Sequence, residues 1–231
     1  MPDKDRKHDY SVLILLYRKD SPEYFKAAID SMINQTIPPE EILVAVDGPI
    51  GEDLQRVLDG YREEYGDLFT IQHYKENRGQ GRTLRDALPL CRNEFIARMD
   101  SDDYSVPERM EKEFAVFEKH PELSGVGSNV DEFEGEITNV ISHVIMPETP
   151  EEVVKFARRR CPFRQSTFLV KKSAVMAAGN YRDVYRYEDY DLVVRILQNM
   201  RNGGGGYTTY RKFSRICGSA RTTTGGAEDF V

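Results

Sequence analysis

Apolar runs and amphipathic stretches alternate along the first hundred residues. Ser11-Val-Leu-Ile-Leu-Leu-Tyr17 is almost continuously apolar, the signature of a strand covered on both faces of a parallel sheet. Ser21 and Pro22 then open a helical stretch that carries Tyr24, Phe25, Ala28, Ile29 and Met32 and closes near Asn34. A second buried strand, Glu41 to Asp47, runs into Asp47-Gly48-Pro49. A helix from about Asp53 to Tyr65, a strand from Phe69 to Tyr74, a helix from the Asn77–Arg82 segment through Leu90, and a fourth strand from Glu94 to Met99 follow. This alternation predicts an α/β fold, a twisted and mostly parallel sheet flanked by helices. The loops after Tyr17, Asp47 and Met99 then share the carboxyl rim, where open α/β sheets bind ligands.

Beyond residue 105 the pattern changes. Pro107 to His120 reads as an amphipathic helix and Ser124 to Val130 as a further strand. Glu136 to Ile145 alternates more strictly, which predicts an antiparallel edge. Pro150 to Arg160 is helical, Ser166 to Lys171 is a short strand, and Gly179 closes the helix after it. A helix starting at Tyr187 carries Glu188, Asp189 and Asp191 in its first turn, where its dipole favours acids. Gly203 to Gly206 opens a Thr- and Arg-rich tail with little apolar periodicity, which reads as flexible.

The length of 231 residues fits one large domain, or a domain with an appended subdomain. No run of 18 apolar residues is present, and the charged start lacks a leader-like apolar segment. Cys91, Cys161 and Cys217 are widely spaced without metal-ligand spacing, which fits a reducing compartment and predicts a cytoplasmic chain. The net charge of -7 argues against nucleic acid as a partner. Arg158-Arg159-Arg160 reads as a helix C-terminus meeting its dipole, with an anionic lipid surface as the alternative.

The candidate chemistry sits where the apolar run Phe95–Met99 ends in Asp100, Asp102 and Asp103. Ser105 is placed as a helix N-cap, with Pro107 in the first turn and Glu108 three residues after the serine. Two carboxylates one residue apart on a strand-to-helix loop suit a hard divalent cation and, through it, a phosphate. A solvated acidic turn that caps a helix explains the same residues. An EF-hand does not, because its turn glycine and distal glutamate are missing. Asn77-Arg-Gly-Gln-Gly-Arg82 lacks the GK[ST] of a P-loop and does not follow the first strand, so a glycine-eased helix start accounts for it.

Taken in order, these segments resemble family-two glycosyltransferases of the GT-A fold, of the bacterial surface-polysaccharide type and similar to the amylovoran-biosynthesis galactosyltransferases. The resemblance rests on Ser11-Val-Leu with Tyr17, Asp30-Ser31 with Asn34-Gln35-Thr36, and Glu41-Ile-Leu-Val with Asp47-Gly48-Pro49. It continues through Asn77-Arg-Gly79, Ala97 to Asp103, Cys161-Pro-Phe163 and Lys172-Ser-Ala-Val175. Gly179-Asn-Tyr181 and Tyr187 to Leu192 complete it, over residues 11–200. It implies a GT-A domain over residues 1–200, with a nucleotide-sugar part to residue 105, then an acceptor-side part that is partly antiparallel. The implied activity is inverting transfer of galactose, glucose or a similar hexose from a UDP-linked donor to a saccharide or lipid-linked saccharide. Surface-polysaccharide assembly at the inner membrane face is the implied setting.

By motif position, the resemblance puts Tyr17, Asp20, Asp47, Arg82 and Asp100 at the nucleotide-sugar, with Asp47 accepting from the base ring. Asp100 contacts the ribose or orients the metal, and Asp102 ligates Mg2+ or Mn2+. Asp103 supports, Asp189 is the catalytic base, and Glu188 beside it is the competing candidate. Where relatives carry Asn-His after Cys-Pro-Phe, this chain has Arg164-Gln165, which puts an acceptor-side contact by Gln165 in question. The QxxRW pattern of processive synthases is absent, which implies one transfer per encounter. Residues 201–231 depart most. A back-translation of Gly206 to Ser214, read in a second frame, restores the family's Tyr-Asn-Ile-Gln strand, so a frameshift after about Met200 is one expectation for this tail. A catalytically impaired nucleotide-sugar-binding protein is the alternative function. A nucleotidylyltransferase is disfavoured, because Tyr17-Arg-Lys-Asp20 holds no glycine for a triphosphate loop.

Overall fold

The structure, a computed structural model, describes residues 8–135 and 137–201. The expectations for the tail beyond Arg201 lie outside the described residues. Strand β1 (Tyr10–Leu16) leads to α1 (Pro22–Ile33), β2 (Glu41–Val46), α2 (Glu52–Tyr65) and β3 (Phe69–His73). Next come α3 (Gln80–Ala87), β4 (Phe95–Met99), α4 (Arg109–Lys119) and the two-residue β5 (Gly125–Val126). A hairpin of β6 (Val130–Phe133) and β7 (Val140–Val144) precedes α5 (Pro150–Phe156), β8 (Leu169–Lys171), α6 (Lys172–Ala177) and α7 (Glu188–Arg201). Among the described residues, no helix is long and apolar enough to cross a membrane.

The main sheet has the order β3-β2-β1-β4-β8-β5. Its first four strands are parallel, and β8 runs antiparallel to both β4 and β5. Because successive side chains point to opposite faces, the apolar run of β1 divides between two cores. Val12, Ile14 and Leu16 pack with Phe25, Ile29 and Met32 of α1 and Phe114 of α4. Leu13 packs on the other face with Leu84 of α3, Val175 of α6 and Ile196 of α7. Leu16 pairs with Val46, and Ile14 with Met99. The residues that follow these strands, Tyr17, Asp47 and Asp100, therefore emerge on one rim.

Four local expectations change. The strand expected over 124–130 shrinks to two residues in β5, paired with β8, and the Phe168 and Phe163 rings lie close against Gly125 and Gly127. The alternating segment is antiparallel as expected, but it is shorter and pairs with β6 in a separate two-stranded sheet. Ser105 is not a cap. Its N–H donates to Ser31 Oγ at 3.1 Å, its hydroxyl accepts from Gln35 Nε2 at 3.1 Å, and α4 starts only at Arg109. Helix α5 ends at Phe156, so Arg158 to Arg160 follow it in turns bonded to Lys155 and Phe156 carbonyls.

Beneath the rim lies a fully buried ion pair, Arg109 Nε to Glu113 Oε1 at 3.1 Å. Arg109 Nη2 also donates to the Arg98 carbonyl at 3.2 Å, which ties α4 to β4 just before the acidic loop. Glu113→Ala would strand a buried guanidinium, a change expected to cost about 3–5 kcal/mol. A urea unfolding curve measures it, and a wild-type midpoint would contradict this account of the pair.

Candidate functional site

Two clefts open on the carboxyl rim, and the acidic loop separates them. The first encloses about 410 Å3 and is lined by Tyr17, Asp20, Asp47, Asn77, Asp100 and Asp102, among others. The second, about 600 Å3, is bordered by Asp100, Asp102 and Asp103 on one side and by Gln165 and Asp189 on another. Both volumes suit a small-molecule ligand. Asp100 and Asp102 line both clefts.

Each loop of the first cleft is held by polar bonds. Asp20 accepts from the Tyr17 N–H at 2.9 Å and from Ser101 Oγ at 2.8 Å, which joins the loop after β1 to the acidic loop. Asp47 is buried, and its carboxylate accepts from Arg78 N, Gly79 N and Thr83 Oγ1 at 2.9, 3.1 and 2.9 Å. It thereby pins the start of α3, where an unsatisfied donor would be costly. Gly48 beside it has φ +86°, and a Cβ there would stand 2.5 Å from Asn77 N, so this close approach requires glycine. The segment that reads as weak in the sequence thus contributes Asn77, Gly79 and Gln80 to the cleft wall. Arg82 lies outside both linings, and its Nε meets Asp183 Oδ2 at 2.7 Å.

In the second cleft, Asp189 stands in the first turn of α7 and faces the acidic loop. Glu188 is buried beside it and lines neither cleft. Arg159, Arg160, Arg164 and Arg186 complete the wall. Their convergence is not visible in the sequence, because they come from two separated stretches.

Beneath both clefts lies Arg98, wholly buried in β4. It donates to the Leu13 carbonyl, and its Nη2 reaches Asp100 Oδ1 at 3.4 Å. In the sequence this arginine disappears into the apolar run Phe95–Met99, and the only signal was a charge in an otherwise buried strand. Burial pushes the Asp100 carboxyl up to about 7. Arg98 opposes the rise, and Asp103, Asp102 and Asp20 add to it. The Asp100 side chain is 39% exposed, but that exposure is toward the cleft, so its charge is solvated from one side only. Burial likewise raises Asp102, with Asp103 and Asp20 adding to the effect. Asp189 rises well above the ordinary range for the same first reason, again opposed by Arg98.

A mostly parallel sheet with two clefts on its carboxyl rim is an α/β fold of the GT-A class. The GT-A neighbour TarS 1–349 of S. aureus, solved with UDP-GlcNAc, matches at a TM-score of 0.73 and 16% identity over 96% of this chain and 62% of its own. A mannosyltransferase from Pyrobaculum calidifontis, solved with GDP-Man and Mn2+, matches at 0.67 and 15% over 94% of this chain and 58% of its own. This chain therefore spans less than two thirds of these solved structures.

The chain belongs to glycosyl transferase family 2, whose profile matches residues 11–184. The amylovoran biosynthesis glycosyltransferase AmsE of Erwinia amylovora is 34% identical over 81% of this chain and 69% of its own length. The Escherichia coli UDP-Gal:alpha-D-GlcNAc-diphosphoundecaprenol beta-1,3-galactosyltransferase is 32% identical over 84% of this chain and 70% of its own.

The carboxyl of Asp100 gives the site a pH signature. Its pKa of about 7 in the fold stands above the ordinary 3.8, so the folded state binds this proton more tightly than the unfolded chain. The stabilisation from protonation is full below about pH 4 and is lost as the pH rises through about 7. Asp100→Asn is therefore expected to lose less Tm than the wild type between pH 4 and pH 8, because this titration is removed. Thermal melts with the wild-type pH dependence in the variant would contradict this electrostatic picture.

Proposed function

We propose that this chain is an inverting, metal-assisted hexosyltransferase of surface-polysaccharide assembly. It takes galactose, glucose or a similar hexose from a UDP-linked donor in the first cleft. It passes the sugar to a lipid-linked saccharide in the second. The observation that carries this reading is that Asp100 and Asp102 border both clefts, so one loop can serve donor and acceptor together. In this reading residues up to about 105 form the donor part and those from there to about 200 the acceptor part.

Tyr17 and Asp47 would hold the nucleoside. Three of the roughly four acceptor directions of the Asp47 carboxylate are already used, which leaves one for a donor on the base ring. Arg82 would reach the diphosphate only by leaving Asp183. Among the described residues, no three His, Cys, Asp or Glu side chains form a ready-made cation cage. The acidic cluster nevertheless fits Mg2+ or Mn2+ bound by one or two carboxylates and completed by ligand phosphates. Its carboxyls push one another toward neutrality, a tension that a cation relieves. Asp102 would hold the ion, with Asp100 and Asp103 in support. When bound, the ion offsets the charge that develops on the departing diphosphate.

Asp189 would take the proton of the acceptor hydroxyl as that oxygen attacks the sugar, since a hydroxyl is a poor nucleophile until a base removes its proton. Attack from the second cleft, opposite a leaving group held in the first, inverts the anomeric centre. The raised affinity of Asp189 for a proton strengthens it as a base, while Arg98 stabilises its ionised form. Arg159, Arg160, Arg164 and Arg186 favour an acceptor that carries phosphate. The name of the Escherichia coli relative describes such an acceptor, a diphosphoundecaprenol-linked sugar. An acceptor of that kind would bring the chain to the inner membrane face as a peripheral protein.

The test is turnover of UDP-glucose and UDP-galactose with a lipid-linked saccharide, in Mn2+ and in EDTA. Mn2+-dependent release of UDP is expected, and Asp189→Asn should lower kcat by on the order of 10²–10⁴ with donor binding retained. Donor binding with no turnover by the wild-type chain would favour a binding protein instead.

A further inference from the structure

Below Asp189 a small cavity of about 10 Å3 is lined by Cys161, Gln165, Tyr181 and Asp189, with Phe163, Phe168, Leu192 and Val193 around them. That is about the room one water occupies. Three polar atoms there are closed to solvent and have no hydrogen-bond partner: Gln165 Nε2, Gln165 Oε1 and Asp189 Oδ1. The other polar groups at the cavity are already engaged. The Cys161 sulfur receives the Phe163 N–H, and the Tyr181 phenol is bonded to Arg98. Buried polar atoms left unpaired are costly and rare. Here all three belong to residues that line a cavity with room for a single water.

We propose that Gln165 is a positioning residue for Asp189, acting through one water buried between the amide and Asp189 Oδ1. This rests on the general-base role proposed above and assigns the means by which that base is oriented. Asp189 also lines the open cleft, so fixing Oδ1 in the cavity leaves Oδ2 for the acceptor hydroxyl. An amide suits the task because it carries both a donor and an acceptor. While Asp189 is ionised, the water donates to Oδ1 and accepts from Gln165 Nε2. After Asp189 has taken the proton on Oδ2, Oδ1 is a carbonyl oxygen that still accepts from the water, and the second hydrogen of the water can be donated to Gln165 Oε1. The same contact thus supports the base before and after transfer, without Gln165 touching substrate.

The experiment is an experimental structure of the full chain at a resolution that shows waters, combined with steady-state kinetics of Gln165→Leu and Gln165→His. A water within hydrogen-bond distance of both Gln165 and Asp189 is expected, absent in Gln165→Leu. That variant should lose about tenfold in kcat at unchanged KM for the UDP-sugar, and Gln165→His, which keeps a donor and an acceptor, should recover most of the loss. A dry cavity in the wild-type structure would overturn the proposal, as would a Gln165→Leu enzyme whose only change is in KM. If the wild-type chain turns over no donor, the general-base reading fails by its own assay, and the structure alone decides the water.

Discussion

A single buried cation underlies the arrangement of this site. A guanidinium fully removed from water costs several kcal/mol unless it is paired and hydrogen-bonded. Arg98 meets most of that cost with groups from distant parts of the chain, the Leu13 carbonyl in β1, Asp100 after its own strand and Tyr181 ahead of α7, while its Nε is left without a partner. Its charge also opposes the rise in proton affinity of both Asp100 and Asp189. The acids on the two sides of the acidic loop therefore share one counter-charge. Arg109, bonded to the carbonyl of Arg98 and paired with Glu113, fixes the backbone from which that charge projects.

Around this centre the rim loops are held by a set of side-chain hydrogen bonds. Gln35, at the end of α1, donates to Ser105 and Val106 and accepts from Met110 N at 3.1 Å, so the chain leaving the acidic loop is clamped before α4 begins. Ser101 is bound to Asp20, and Asp47 gathers the start of α3. A carboxylate cluster that repels itself would spread if its loop were free. These anchors keep it compact, as the proposed cation site requires.

The parallel half of the sheet was legible because its strands are buried on both faces and so read as unbroken apolar runs, as in Val12 to Leu16. The place of the acidic loop was legible because an apolar run that stops abruptly in three carboxylates marks the end of a buried strand, although a capping turn explained the same residues equally well. Arg98 was not, since its meaning depends on Asp189 and Tyr181 arriving from far along the chain. Ser105 misled for a related reason: its local pattern is that of a cap, but Ser31 and Gln35 claim its polar groups in the folded chain. The arginines of the second cleft and the partnership of Gln165 with Asp189 are likewise products of tertiary convergence, which periodicity cannot reveal. The glycines around Asn77 looked like mere easing of a helix start until the close approach of Gly48 explained why that loop lies against the cleft.

The central claim is that the acidic loop is held ready to receive a metal-bound nucleoside diphosphate. Calorimetric titration of UDP into the full chain, in Mn2+ and in EDTA, tests it most directly, with Asp102→Ala as the comparison. The account predicts UDP binding that requires Mn2+ and is lost in Asp102→Ala while the fold is retained. Equal affinity in EDTA, or full binding by the variant, would contradict it.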